Sequence, residues 1–133
     1  DLLDPKAKSL LRPDPIWEAN PRGGGFSASP VIHDGLVYCV ATRGILSVLD
    51  ADSGKTIYTR RLNLGRGPVW PSLLHAGKHI YVSNRDGNTV VFETGRTYKE
   101  VARNKLEEFI STPVVHRNRI YIRTYGHLYA IGE

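Results

Sequence analysis

The sequence contains no methionine, only one cysteine (Cys39), and no apolar run long enough to cross a membrane as a helix. A single cysteine closes no internal disulfide and supplies no paired-thiol half of a zinc site, which excludes a stapled framework and a zinc ribbon. The longest apolar stretches, such as Ile45 to Leu49, stop far short of the ~20 residues that a spanning helix needs. No charged-then-apolar leader opens the chain. With Asp1 first and methionine absent, the chain reads as a processed or excised piece of a longer protein. Long helical periodicity is missing too, so the elements are expected to be short strands.

What is present fits a globular protein. The 133 residues suffice for one domain, and the 41% apolar and 23% charged content lies far from the signature of disorder. The net charge of +5 favours polyanions, yet the basic residues are scattered rather than massed in one run. They read as a solvated surface, which argues against nucleic acid as a partner.

Three segments lie over one another: SPVIHDGLVYCVATRG from Ser29, PSLLHAGKHIYVSNRDG from Pro71 and TPVVHRNRIYIRTYG from Thr112. Tyr38, Tyr81 and Tyr121 align at spacings of 43 and 40 residues, followed by Gly44, Gly87 and Gly126 six, six and five residues later. His33, His75 and His116 fall at one position of this alignment. Within the first repeat, strands are expected over Pro30–Ile32, Leu36–Ala41, Ile45–Leu49 and Lys55–Leu62. They are separated by the turn signals Asp34-Gly35, Arg43-Gly44 and Asp52-Ser53-Gly54. A period of about 40 to 45 residues with four antiparallel strands is the mark of a β-propeller blade. The unbroken apolar run Val37 to Val40 suggests a mid-blade strand covered on both faces.

The expected organisation is an all-β partial propeller of about three blades over residues 15–133. It comprises an outer strand at 15–20, blades at 26–62 and 69–106, and a blade lacking its outer strand at 109–133. Trp17 is aligned with Tyr58 and Tyr98 as the outer-strand aromatic. Residues 1–14 read as a linker or insert. Closure takes about four to eight blades, so the ring requires either the rest of a longer chain, the favoured reading, or further copies that oligomerise or swap strands.

Val48-Leu49-Asp50-Ala51-Asp52-Ser53-Gly54-Lys55, followed by Tyr58, resembles the alda-tGk--W pattern of pyrroloquinoline-quinone-like repeats, with tyrosine in place of the usual tryptophan. Ser29-Pro30-Val31 and Asp34-Gly35-Leu36-Val37-Tyr38 resemble that repeat's opening. The stretch from Trp70-Pro71-Ser72 to Ile131-Gly132 is similar to the C-terminal ends of large bacterial proteins of this kind, notably from planctomycete-type bacteria and often grouped as BamB-like. The resemblance implies a quinoprotein-type propeller in the periplasm or cell envelope. It does not fix an activity, because such repeats occur both in quinone-dependent dehydrogenases and in scaffolds that bind no quinone.

No residue set assembles into a catalytic centre, and no metal or cofactor site is expected. The three histidines are read as turn or packing residues, since equivalent points on adjacent blades should lie about 10 Å apart. Asp50 to Gly54 has the spacing of a calcium loop's start, but Arg61 stands where its closing Glu would be, so a tight turn is expected. Gly23-Gly24-Gly25 lacks the GK[ST] of a phosphate loop and reads as a flexible connection. Glu107 and Glu108 read as strand neighbours facing opposite ways. Arg123, standing where the other repeats have Val40 and Ser83, is the one candidate for a ligand or channel role, expected either to pair with a carboxylate between blades or to face the channel. Trp17, Tyr38, Gly44, Asp50, Gly54, Tyr58, Tyr81, Gly87, Tyr121 and Gly126 are expected to define the repeat structurally. The first reading of function is a non-catalytic scaffold for a protein partner or the remaining blades. The alternatives are a fragment of a quinone-dependent dehydrogenase, whose adjacent cysteine pair and calcium cluster are not visible here, and a polyanion-binding surface around Arg117, Arg119 and Arg123.

Overall fold

Turn chemistry divides the chain into short strands that pair with their sequence neighbours. The computed structural model describes residues 15–133; the linker read over 1–14 lies outside the described residues. The strands are β1 (Val31–His33), β2 (Leu36–Val40), β3 (Ile45–Asp50), β4 (Thr56–Arg61), β5 (Leu74–Ala76), β6 (His79–Ser83), β7 (Asn88–Glu93), β8 (Glu100–Lys105), β9 (Val114–His116), β10 (Arg119–Arg123) and β11 (Leu128–Gly132). They form three antiparallel meanders: β1-β2-β3-β4, β5-β6-β7-β8 and the three-stranded β9-β10-β11. Asp34 and Gly35 both have positive φ, as a two-residue hairpin turn matched to the strand twist requires.

The sheets stack face to face. Leu36, Tyr38, Val40, Leu46 and Val48 of the first sheet pack against Ile80, Val82, Val90 and Phe92 of the second. Tyr38 is fully buried, and its hydroxyl accepts a hydrogen bond from the Gly95 backbone N–H (2.8 Å) across the junction. Burial pushes the Tyr38 hydroxyl and the Cys39 thiol up from their ordinary pKa values. Three kinds of polar stitch cross the sheets. The Ser29 N–H donates to Ser72 Oγ (2.9 Å), and the Ser72 N–H in turn to Thr112 Oγ1 (3.1 Å), at one repeat position. The Arg103 guanidinium on β8 donates to the Leu62 and Asn63 carbonyls (2.6 and 3.0 Å), held in place by Glu100. Buried Asn84 donates to the Leu64 carbonyl (2.8 Å).

Strand pairing corrects several alignments. Val48 pairs with Tyr58, whereas its counterpart Val91 pairs with Ala102. Ala102, not Tyr98, therefore occupies the Tyr58 position, and Tyr98 lies in the loop before β8. Likewise Val31 pairs with Tyr38, Leu74 with Tyr81 and Val114 with Tyr121, so His33 is equivalent to Ala76 and His116, and His75 sits one residue earlier. Because side chains alternate along a strand, that offset turns His75 toward the first sheet. Its ring centroid lies 4.2 Å from that of His33, not the expected 10 Å or so.

Residues 15–20 form no strand, contrary to the outer-strand expectation, because no described strand edge pairs with them. Trp17 instead docks on the β3–β4 turn. The expected two-sided cover of the middle strand holds best in the central sheet, where Ile80, Val82 and Ser83 are buried; in β2, Val37 and Cys39 are only half-buried.

The third sheet leaves Val114, Tyr125, Leu128 and Ile131 substantially exposed, and β11 lies at its edge with no strand beside it among the described residues. An uncovered apolar edge templates pairing. The isolated 133-residue chain should therefore self-associate with rising concentration in light scattering; a stable monomer across the range would contradict this.

Candidate functional site

Alternation along extended chain decides which side chains reach solvent at the mouth of each sheet. Val69 is fully buried, its N–H bonded to the Thr42 carbonyl (2.9 Å), so the next residue, Trp70, points outward. In the following repeat Phe109 is buried, its N–H on the Arg85 carbonyl (3.1 Å), and Ile110 points outward. Phe26, at the Val69 position of the first repeat, is itself partly exposed, and Tyr125 projects from the β10–β11 turn. Trp70 meets Arg85 of the β6–β7 turn, and Ile110 and Tyr125 line one depression beside the β10–β11 turn, so these three side chains lie on the loop face that carries the turns. Arg85 sits 5.6 Å from the Trp70 ring centroid and pairs with Asp86 (3.2 Å). The arrangement offers aromatic anchors and a guanidinium without catalytic chemistry, the composition that protein interfaces favour. Sequence reasoning missed this arc. The available signal was an aromatic directly before the Pro-Ser start of a repeat.

The Asp50–Gly54 turn is structural. Asp50 Oδ1 accepts from the Ser53 hydroxyl (2.7 Å), the Ser53 N–H (2.8 Å) and the Asp52 N–H (3.2 Å); the Ser53 hydroxyl is the main cause of its lowered pKa. The Trp17 indole N–H donates to the Ala51 carbonyl (2.9 Å), and its ring presses on Gly54 so closely that a Cβ there would lie 2.6 Å from it. Tyr58 is half-buried, its hydroxyl has no hydrogen-bond partner among the described residues, and burial drives its pKa upward. Tyr98 donates to Glu100 (2.7 Å) under the Arg60 guanidinium, and burial is the main cause that pushes its pKa up to about 12. Gly23 to Gly25 is anchored rather than loose: the Gly25 carbonyl accepts from both the N–H and the hydroxyl of Thr42 (2.8 and 2.9 Å).

Glu107 and Glu108 lie in the loop after β8, so strand alternation does not govern them. Glu107 accepts from the Thr124 hydroxyl and from His127 Nδ1 (2.8 Å), and the Thr124 bond is the larger cause of its lowered pKa. This cluster ties the loop to the third sheet. Arg123 is exposed rather than covered, because no described residue packs over its face of β10; its guanidinium donates to the His127 carbonyl (2.9 Å) and not to a carboxylate. Arg117 and Arg119 lie at the opposite end of β10, so the three arginines do not form one patch.

Among the described residues, no group of three or more His, Cys, Asp or Glu side chains is placed to hold a metal ion. A single cysteine cannot supply the adjacent pair of a quinone site. The residues present therefore do not fit that cofactor.

Four-stranded antiparallel meanders, repeated along the chain and stacked face to face, make this a β-propeller protein built from quinoprotein-type repeats. The family described as outer membrane protein assembly factor BamB matches residues 13–131, and the chain belongs to it. Among its relatives, the BamB proteins of Salmonella typhimurium and Moranella endobia are 26% and 29% identical, over 84% and 97% of this chain. The chain spans only about a third of their length, 31% and 37%. Among solved structures, BamB from Moraxella catarrhalis superposes with a TM-score of 0.62 at 20% identity, covering 77% of this chain and 32% of that one. Quinohemoprotein alcohol dehydrogenase from Comamonas testosteroni superposes with a TM-score of 0.60 at 23% identity, covering 74% and 17%. At these identities the two structures attest the fold alone. No helix among the described residues is long and apolar enough to cross a membrane.

Proposed function

We propose that this chain is part of a non-catalytic scaffold of the bacterial cell envelope, contributing a protein-docking face to outer-membrane protein assembly. Family membership supports the envelope role, and the exposed Trp70, Ile110 and Tyr125 with Arg85 support docking through the loop face. Trp70 is the carrying observation: a tryptophan held half out of a rigid loop, with a guanidinium over its ring, is the kind of anchor on which binding energy concentrates. The dehydrogenase reading has no residue in this chain to support it. Arg123 is assigned a structural role, holding the β10–β11 turn through the His127 carbonyl.

Trp70→Ala in the full-length protein should weaken its co-purification with the outer-membrane assembly machinery of its source bacterium about tenfold or more, a hot-spot loss of ~2 kcal/mol. Ser27→Ala, at the equivalent position of the first repeat, should leave it unchanged. Undiminished co-purification of the Trp70 variant, folded by circular dichroism, would remove the loop face from the interface.

A further inference from the structure

The linker between the first two sheets is closed onto the β2–β3 turn at both ends. The Leu62 N–H donates to the Gly44 carbonyl and the Val69 N–H to the Thr42 carbonyl, both at 2.9 Å. Leu62, Leu64 and Val69 are buried beneath it, so the linker is a fixed wall rather than a loose loop. Turn and linker together enclose a surface depression of about 340 Å3. Three arginines line it: Arg43 from the turn, Arg61 from the end of β4, where it pairs with Ile45, and Arg66 from the linker. No carboxylate is in the lining. Among the described residues none of these guanidiniums makes a hydrogen bond, an ion pair or a ring contact, although the chain elsewhere pairs its cations with Glu93, Glu100 and Asp86. The Asp86 carboxylate lies against Gly67 and is engaged by Arg85.

The repeat itself supplies the control. In the second sheet Asp86 stands where the first has Arg43, just before the turn glycine, and Lys105 stands where it has Arg61, paired with Asn88. There the cations have partners: Arg85 pairs with Asp86, and Lys105 donates to the Asp86 carbonyl. In the third sheet Tyr125 precedes the turn glycine. Three arginines lining one depression are thus a property of the first junction and not of the blade. Convergent like charges repel one another, and an oxyanion removes that repulsion. Guanidinium forks match the oxygen spacing of phosphate in a way that ammonium groups do not.

We propose that this depression is a binding site for a phosphate-type oxyanion, held by Arg43, Arg61 and Arg66. The source is either a soluble phosphate or the headgroup of an anionic lipid, which share this chemistry. Calorimetric titration of the chain with inorganic pyrophosphate at low salt should show saturable binding. Arg43→Gln with Arg61→Gln should weaken it about tenfold or more, since each removes charge-assisted hydrogen bonds to the oxyanion, and the lysine pair should weaken it less. Lys105→Gln should leave it unaltered. All three arginines are exposed, so the urea midpoint of the glutamine variant should match that of the parent; should it fall, the folded lysine variant alone decides, by weakened binding at unchanged charge. Pyrophosphate-sensitive association with phosphatidic acid vesicles would assign the anion to a lipid headgroup; pyrophosphate binding without vesicle association would assign it to a soluble phosphate. Absence of saturable pyrophosphate binding, or equal weakening by Lys105→Gln, would overturn the site.

Discussion

Alanine at Gly87 is expected to destabilise the chain by about 3–5 kcal/mol, while alanine at the equivalent Gly44 costs about 1–2 and at Gly126 close to nothing. The three glycines occupy one repeat position but face different surroundings. Gly87 has a φ of +84°, and a Cβ there would lie 2.3 Å from the Leu106 carbonyl oxygen and 2.5 Å from that of Glu107. Both obstacles are backbone, and the Leu106 N–H is itself bonded to the Gly87 carbonyl, so neither side yields without breaking the stitch between turn and linker. Gly44 has a similar φ of +77° but open space around the missing Cβ, leaving only the left-handed backbone penalty. The third turn is one residue shorter, Thr124-Tyr125-Gly126 against Asn84-Arg85-Asp86-Gly87, and Gly126 is not in the left-handed region. Urea denaturation of the three single variants with a shared slope would test this order. Equal losses at all three positions would show that the repeat, and not the local contacts, sets the requirement for glycine.

The second large effect belongs to Tyr38. Truncation to alanine should cost about 3–5 kcal/mol, as for other large aromatics removed from a core. Its ring is fully buried at the junction of the first two sheets, 6.3 Å from that of Phe92. Tyr38→Phe keeps the packing but removes the partner of the half-buried Gly95 N–H, a loss of about 1 kcal/mol for one hydrogen bond. Tyr81, its counterpart in the second sheet, is only half-buried, and no hydroxyl bond ties it to the third sheet among the described residues. Tyr81→Phe should therefore fall within about 0.5 kcal/mol of the parent. The Tyr38→Phe and Tyr81→Phe midpoints, measured side by side, isolate the hydrogen bond; coincident midpoints would show that the Tyr38 hydroxyl contributes nothing.

The period and the turn glycines carried most of the architecture in readable form. Strands β1 to β4 fall within a residue or two of their expected bounds because Asp34-Gly35, Arg43-Gly44 and Asp52-Ser53-Gly54 each terminate a strand by a local requirement of the backbone. Faces were harder to read. His75 aligns with His33 by eye, yet the ladder shifts it by one residue, and in a structure of period two that shift changes which neighbour it meets. Tyr98 matches Tyr58 in residue type only: it stands in the loop before β8, four residues ahead of Ala102, which holds the Tyr58 position. The exposure of Arg123 depends on what covers β10, which no local pattern encodes. The arginine depression left no sequence signal, because it gathers residues from a turn, a strand end and a linker with no common spacing, and only the hydrogen bonds that fold the linker onto the turn bring them together. The docking face left one local signal, an aromatic before Pro71-Ser72, while the exposure of Ile110 and Tyr125 depends on packing that no local pattern encodes.

The relay from Ser29 to Ser72 to Thr112 has a consequence for how such a chain grows. Ser72 both accepts from the sheet before it and donates to the sheet after it, so a single residue carries the two halves of a heterologous contact. A tandem duplication of one blade in the gene would deliver a donor and an acceptor at the same time, each facing its proper neighbour. The number of blades is then free to change by copying, without any compensating substitution at this seam.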